Sequence, residues 1–196
     1  LSVIAVQGDG EVRTFPAGEN VHEAEILRET VVPARTTDAV LDRAEDVARD
    51  VLDTLSGRGV FGIELFETRD GEIQVNEIAP RPHNSGHWTI EGARTSQFEQ
   101  HVRAVLGWPL GSTRLRCPTV MTNVLGTVEE PHPARLGNVE RVLEDSEASL
   151  HWYGKDEVRP LRKMGHVTVT GESDVDVDTL LAHARSLREE LRFEND

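Results

Sequence analysis

Lysine is nearly absent from this chain. Only Lys155 and Lys163 supply it, the other 19 of the 21 cationic residues being arginine, and 35 acids outweigh them for a formal charge of −14. That balance excludes nucleic acid as a partner, because backbone recognition needs a basic footprint. Heavy acidity is a solubility lever used by salt-adapted proteins, and a solvated acidic surface is the plainer reading. Cysteine is reduced to Cys117, which rules out an internal disulfide framework and any cysteine metal cluster. No apolar run reaches the length of a membrane span, and no signal peptide is visible. These absences point to a cytoplasmic chain with no membrane partner. Internal repeats, low-complexity tracts and the usual glycine-rich phosphate loops are also missing. The 196 residues suffice for one or two compact units with a real core.

What is present reads as a mixed α+β fold. Leu1–Gln7 and Glu11–Phe15 flank Gly8-Asp9-Gly10 as a hairpin. Thr37 to Ser56 carries Val40, Leu41, Ala44, Val47, Ala48, Val51, Leu52 and Leu55 at helical spacing, with Asp38 in the first turn and Gly57 where a C-terminal cap is expected. Ser96-Gln97-Phe98-Glu99 has the capping-box pattern and opens a second helix ending near Gly107. Gly107–Ser112 is the best boundary, giving units at 1–110 and 111–196. Beyond it, short strands are expected near 118–125, 149–153 and 164–170, a short helix at 138–144, and a last amphipathic helix from Thr179 to Leu191. Leu180, Ala184, Leu187 and Leu191 form its buried stripe.

The most informative stretch is Gly59–Thr89. Asp70-Gly71 between apolar runs predicts a two-residue hairpin turn. Pairing Arg69 with Glu72 then places Glu64 opposite Glu77, with Phe66 and Val75 on the same face. Opposed side chains on one face stand about 5 Å apart, where two carboxylates repel by roughly 3 kcal/mol at an effective dielectric near 20. A divalent cation held by Glu64, Glu77 and Asn76 would resolve that repulsion, and few oxygen donors of this kind suit magnesium. A register shifted by one residue would instead send the acids to opposite faces.

Ala79-Pro80-Arg81-Pro82 cannot continue a central strand. The chain therefore leaves the sheet after Glu77 and presents Arg81, His83, Asn84, Ser85 and His87 beside the acids. Arginine offers a planar fork for carboxylate or phosphate. His83 and His87 make a poor zinc pair, because Gly86 and the prolines oppose a helix that would align them. Lys155, Arg159, Arg162 and Lys163 form a second cluster suited to phosphate; a solvated strand edge is the competing reading. His22 alone reads as an ordinary loop or core histidine.

The motif NEIAPRPHNSGHWT resembles the signature of the 5-(carboxyamino)imidazole ribonucleotide synthetase family, the ATP-grasp enzymes of purine biosynthesis. The resemblance extends to residues 19–34, 97–111, 118–126 and 150–171. It implies the carboxy-terminal part of an ATP-grasp domain followed by a small β-rich domain with a final helix. The family's amino-terminal nucleotide-fold domain and its phosphate-contacting glycine loop and lysine are not in this sequence. Turnover is accordingly expected to need that missing half.

By the same resemblance, the cofactors are ATP and magnesium, and the reaction joins bicarbonate to the exocyclic amine of 5-aminoimidazole ribonucleotide through carboxyphosphate. Glu64 and Glu77 would hold the metal, and His22, Asn76 and Glu77 would face ATP. Arg81 would stabilise charge on carboxyphosphate and bind substrate. His83, Asn84 and Ser85 would position the ribonucleotide, with Lys155, Arg162 and Lys163 on its 5′-phosphate. A homodimer is also implied. The alternatives are another purine ligase, such as formate-dependent glycinamide ribonucleotide transformylase, or a non-catalytic ribonucleotide-binding module.

Overall fold

A computed structural model describes residues 1–194. The first half runs β1 (Ser2–Gln7), β2 (Val12–Thr14), β3 (Glu19–Glu23), β4 (Ile26–Val32), α1 (Asp38–Thr54), β5 (Gly59–Glu67), β6 (Ile73–Ala79), α2 (Thr89–Gly92) and α3 (Gln97–Val105). The second half runs β7 (Thr119–Leu125), β8 (His132–Pro133), β9 (Leu136–Gly137), α4 (Val139–Leu143), β10 (Ala148–Trp152), β11 (Glu157–Val158), β12 (Lys163–Thr170), α5 (Val177–Glu190) and β13 (Arg192–Phe193). Two antiparallel sheets dominate, ordered β2-β1-β5-β6 and β10-β12-β7-β4-β3, and two-residue pairs β8–β11 and β9–β13 close the loops.

Strand β1 is apolar on both faces because both are covered. Val3 and Ala5 point to α1, while Ile4 and Val6 point to a second core on the other side. Helix α1 forms where Val40, Ala44, Val47, Ala48 and Leu52 recur along one buried face, and the Thr37 hydroxyl accepts the Val40 N–H at its start. It ends at Leu55, which turns extended. Gly57, the expected cap, lies beyond that end at φ +140° and does not adopt the left-handed capping conformation.

The second core joins the two sheets. Ile4 and Val6 from the first and Leu27, Val32 and Met121 from the second close around the buried Trp88. Trp88 meets Phe15 edge-on, with ring centroids 6.1 Å apart. On the far side of the second sheet, Val31, Val120 and Val167 pack against Leu180, Leu181 and Ala184 of α5. Adjacent residues Val31 and Val32 thus serve different cores, because both faces of β4 are covered. Its partners are β3 and β7, the latter from Glu29↔Thr122 to Val32↔Thr119. A division at residues 110/111 therefore runs through this sheet, whose strands come from both sides of it.

No helix among the described residues is long and apolar enough to cross a membrane. Leu52 is fully buried between α1 and the first sheet. Leu52→Ala should destabilise the fold by about 2–5 kcal/mol through lost transfer energy and a residual cavity. Urea unfolding monitored by circular dichroism measures this, and a loss below about 1 kcal/mol would contradict the packing.

Candidate active site

Glu64 and Glu77 are directly paired across β5 and β6, although the hairpin reaches this register by another route. The turn holds three residues, Arg69-Asp70-Gly71, closed by a Thr68 N–H bond to the Glu72 carbonyl at 2.9 Å. Gly71 takes φ +81°, as the left-handed position of such a turn requires. The expected Arg69–Glu72 pair is absent, and the ladder begins at Glu67↔Ile73. A bulge at Asn76 then inserts one residue between Leu65↔Val75 and Glu64↔Glu77. Val75 consequently pairs with Leu65 and leaves the acids' face, correcting the expectation, whereas Phe66 stays beside them.

The acids open onto a cleft of about 540 Å³ that also includes Asn76, Phe66, His22 and Glu25. His22 and Glu25 arrive on the β3–β4 hairpin, so His22 sits on a strand rather than in a loop. The two-residue turn places Ala24 at φ +50° and Glu25 at φ +62°. Neither residue favours that conformation, and such backbone strain is characteristically kept near functional sites. Glu25 was not identifiable in the sequence, which carries no asparagine or glycine to announce the turn.

The loop after β6 turns His83 toward the same acids. Gly62 permits this approach, because a Cβ there would lie 2.5 Å from the His83 Cβ. His83 Nδ1 bonds Ser85 Oγ at 2.9 Å, and Nε2 stands 3.9 Å from Glu64 Oε1. Burial lowers the His83 pKa, opposed by Glu64 and reinforced by Arg81. Ser85 is fully buried behind the imidazole. Asn84 exchanges two amide hydrogen bonds with Asn123 of β7, at 3.0 and 2.8 Å. Both ends of the Asn84 amide are thereby engaged. Arg81 is exposed and donates to the neighbouring Pro82 carbonyl at 3.1 Å.

The basic cluster joins this surface through Lys163. A second cleft of about 430 Å³ is lined by Lys163, Leu161, His83, Glu64, Glu77 and His22, among others. Burial lowers the Lys163 pKa; Glu64 opposes the shift, and Arg81 and Lys155 add to it. Lys155 donates to the Lys163 carbonyl, and its own pKa is lowered by burial and then by Arg162. Arg162 donates to the Glu157 carbonyl at 2.8 Å, and Arg159 pairs with the Glu157 carboxylate. The electrostatic neighbours thus run without a gap from Glu64 through Lys163 to Lys155 and Arg162.

A column of imidazoles lies behind the loop. His87 tilts over His166 at 4.9 Å, and His166 stacks on His151 at 4.3 Å. The Tyr153 hydroxyl and His166 Nδ1 share a hydrogen bond at 2.8 Å, and His151 Nε2 bonds Glu91 Oε1 at 2.7 Å. These residues come from both sides of the seam and are too distant in sequence for spacing to reveal them.

Two opposed carboxylates with an adjacent amide in an open cleft fit a cation that keeps water and shares phosphate oxygens. No group of three His, Cys, Asp or Glu side chains suited to a metal occurs among the described residues, which leaves such an ion dependent on its ligand. Residues 1–98 match the family model of the ATP-grasp domain, and residues 119–179 match that of the phosphoribosylaminoimidazole carboxylase C-terminal domain. The chain belongs to the ATP-grasp family. Within that class the relatives it resembles include N5-carboxyaminoimidazole ribonucleotide synthases and phosphoribosylaminoimidazole carboxylases. The synthase of Bacillus subtilis is 47% identical over 173 residues, covering 86% of this chain and 43% of its own length. The crystal structure of the synthetase from Thermotoga maritima superposes with a TM-score of 0.89 at 42% identity, covering 100% of this chain and 52% of that one. The synthase of Aspergillus clavatus, solved with ADP and 5-aminoimidazole ribonucleotide, gives 0.86 at 37% identity over 96% of this chain and 51% of that one. The chain thus spans less than half the length of the Bacillus relative and about half of these solved structures.

The buried histidines should make the fold acid-sensitive. Burial, with His151, His83 and Lys163 nearby, pushes His87 down to about 4. Burial, with His87 and His151 beside it, pushes His166 down to about 2. Unfolded histidine titrates near pH 6.5, above which both imidazoles are neutral in either state. As pH falls below 6.5, the unfolded chain takes up protons that the folded chain refuses until about 4 or about 2. Stability should therefore drop by up to about 1.4 kcal/mol per pH unit for each histidine. The urea midpoint should fall between pH 7 and pH 5, and fall less in His166→Phe; equal falls in both proteins would refute the assignment.

Proposed function

We propose that this chain supplies the metal-, phosphate- and ribonucleotide-facing part of a cytoplasmic ligase that carboxylates 5-aminoimidazole ribonucleotide with bicarbonate at the expense of ATP. The observation that carries this reading is the shared cleft, where Glu64, Glu77, His83 and Lys163 meet. The named relatives favour the synthase over the formate-dependent transformylase.

In this reaction a bicarbonate oxygen attacks the γ-phosphorus, and the bond to the β–γ bridging oxygen breaks, releasing ADP. The exocyclic amine then attacks the carboxyl carbon, directly or as released carbon dioxide. Inorganic phosphate departs, and the nitrogen loses a proton. Glu64 and Glu77, supported by Asn76, would hold magnesium, whose charge when bound would offset that of the phosphates. His22, Asn76 and Glu77 would face the nucleotide.

Arg81, exposed at the rim, would stabilise the anionic carboxyl group as a preorganised donor. His83 presents Nε2 to the cleft while Ser85 holds Nδ1, an arrangement suited to orienting the imidazole ribonucleotide. Asn84 and Ser85 would act behind it, through the loop. Lys163, Lys155 and Arg162 would receive the 5′-phosphate, combining point charges with a planar fork.

Two substitutions in the complete enzyme test these roles. Glu77→Gln should lower ATP-dependent carboxylation at least a hundredfold while leaving ribonucleotide affinity unchanged; wild-type turnover would exclude Glu77 as a metal ligand. Lys163→Ala should raise the ribonucleotide Kd about tenfold or more, measured by calorimetry. Unaltered affinity would remove Lys163 from the phosphate site.

A further inference from the structure

Helix α3 carries two glutamines with no exposed surface, Gln97 and Gln100. Burying a carboxamide is costly unless both ends are bonded. Each side chain meets that demand in the same way, by pairing with the N–H and carbonyl of a single residue. Gln100 accepts the Gly111 N–H at 2.9 Å and donates to the Gly111 carbonyl at 2.7 Å. Gln97 accepts the His83 N–H at 2.9 Å and donates to the His83 carbonyl at 2.8 Å. Its remaining amide proton goes to His87 Nδ1 at 3.0 Å.

The Gln97 side chain also lies flush against the loop. A Cβ at Gly86 would come within 2.5 Å of its Oε1. The carboxamide has one orientation that satisfies all three bonds, because His83 presents one donor and one acceptor. Backbone torsions on both sides of the His83 Cα are thereby held, and with them the direction of its side chain. Ser85 secures the ring from the other end, leaving Nε2 directed at Glu64.

We propose that Gln97 is a positioning residue of the ribonucleotide site, gripping the backbone of His83 so that its imidazole faces the cleft shared with Glu64 and Lys163. This rests on the ribonucleotide reading of that cleft. Gln100 performs the same structural task on Gly111, which lines neither cleft, and so provides a matched control on the same helix.

The test compares Gln97→Met and Gln100→Met in the 196-residue chain, using calorimetric titration with 5-aminoimidazole ribonucleotide and NMR exchange of the His83 amide. Both variants lose two backbone bonds, so both should melt at lower temperature. Only Gln97→Met should weaken ribonucleotide binding, by about tenfold, and speed exchange at His83. Equal losses of affinity in the two variants, or an unchanged His83 amide in Gln97→Met, would overturn the assignment. If Gln97→Met does not fold, Gln97→Glu keeps the shape and the acceptor for His83 but loses both donors, and the same two readouts apply. Should the wild-type chain bind no ribonucleotide, the functional reading fails, while amide exchange still decides the clamp: faster at His83 only in the Gln97 variant supports it, and unchanged exchange defeats it.

Discussion

Two like charges held face to face on one hairpin impose the constraint around which this molecule is arranged. Glu64 and Glu77 are a direct cross-strand pair, and such a pair is destabilising unless something positive stands near it. The fold brings that charge from elsewhere: Lys163 from the second sheet, and Arg81 from the adjoining loop. Lys163 feels Glu64 on one hand and the cations Arg81 and Lys155 on the other. What remains is a cleft with negative and positive walls, suited to a ligand that brings both a cation and an anion. A metal-bound nucleotide and a phosphorylated substrate have that character together.

The opposing walls belong to different sheets, so the site depends on the seam between them. Apolar packing around Trp88 supplies adhesion there, but aliphatic contacts alone tolerate sliding and repacking. The polar groups add register. Asn84 and Asn123 form a reciprocal amide pair across the seam, and Asn123 also donates to the Leu27 carbonyl at 3.0 Å. Three elements are thereby tied at one point: the loop, β7 and β4. The imidazole column makes a second tie between the loop and β10 and β12. Burying these groups carries a desolvation cost that an apolar seam would avoid. Their return is a fixed distance between the two walls.

The acid pair was legible in the sequence, though its hairpin departs from the expected turn in two places. The turn is one residue longer than Asp70-Gly71 implied, and the bulge at Asn76 restores the count on the other strand. Either change alone would have moved Glu77 out of opposition. Helices α1, α3 and α5 could be found from apolar spacing and caps, since both signals are local. The β3–β4 hairpin could not, because Ala24 and Glu25 occupy conformations normally announced by asparagine or glycine. Placement of Lys163 beside Glu64 was equally hidden, since it depends on β12 pairing with β7 and β7 with β4. Motif resemblance grouped those residues by role; spacing could not show how they meet.

The scarcity of lysine acquires a physical meaning at this point. A chain with formal charge −14 repels phosphorylated ligands at long range and attracts divalent cations. At physiological ionic strength that field fades over about 8 Å, so an anion site can work only as a short-range inversion of the surface. Both lysines of the chain belong to the cluster proposed for that role, and burial lowers the pKa of each. Partial desolvation costs an ammonium some of its charge stability, yet it strengthens the attraction felt by a phosphate arriving at close quarters. Arginine, abundant elsewhere on the surface, is always charged and spreads its charge over a plane. Lysine concentrates it on one nitrogen, and Lys163 lines the cleft it shares with Glu64 and Glu77.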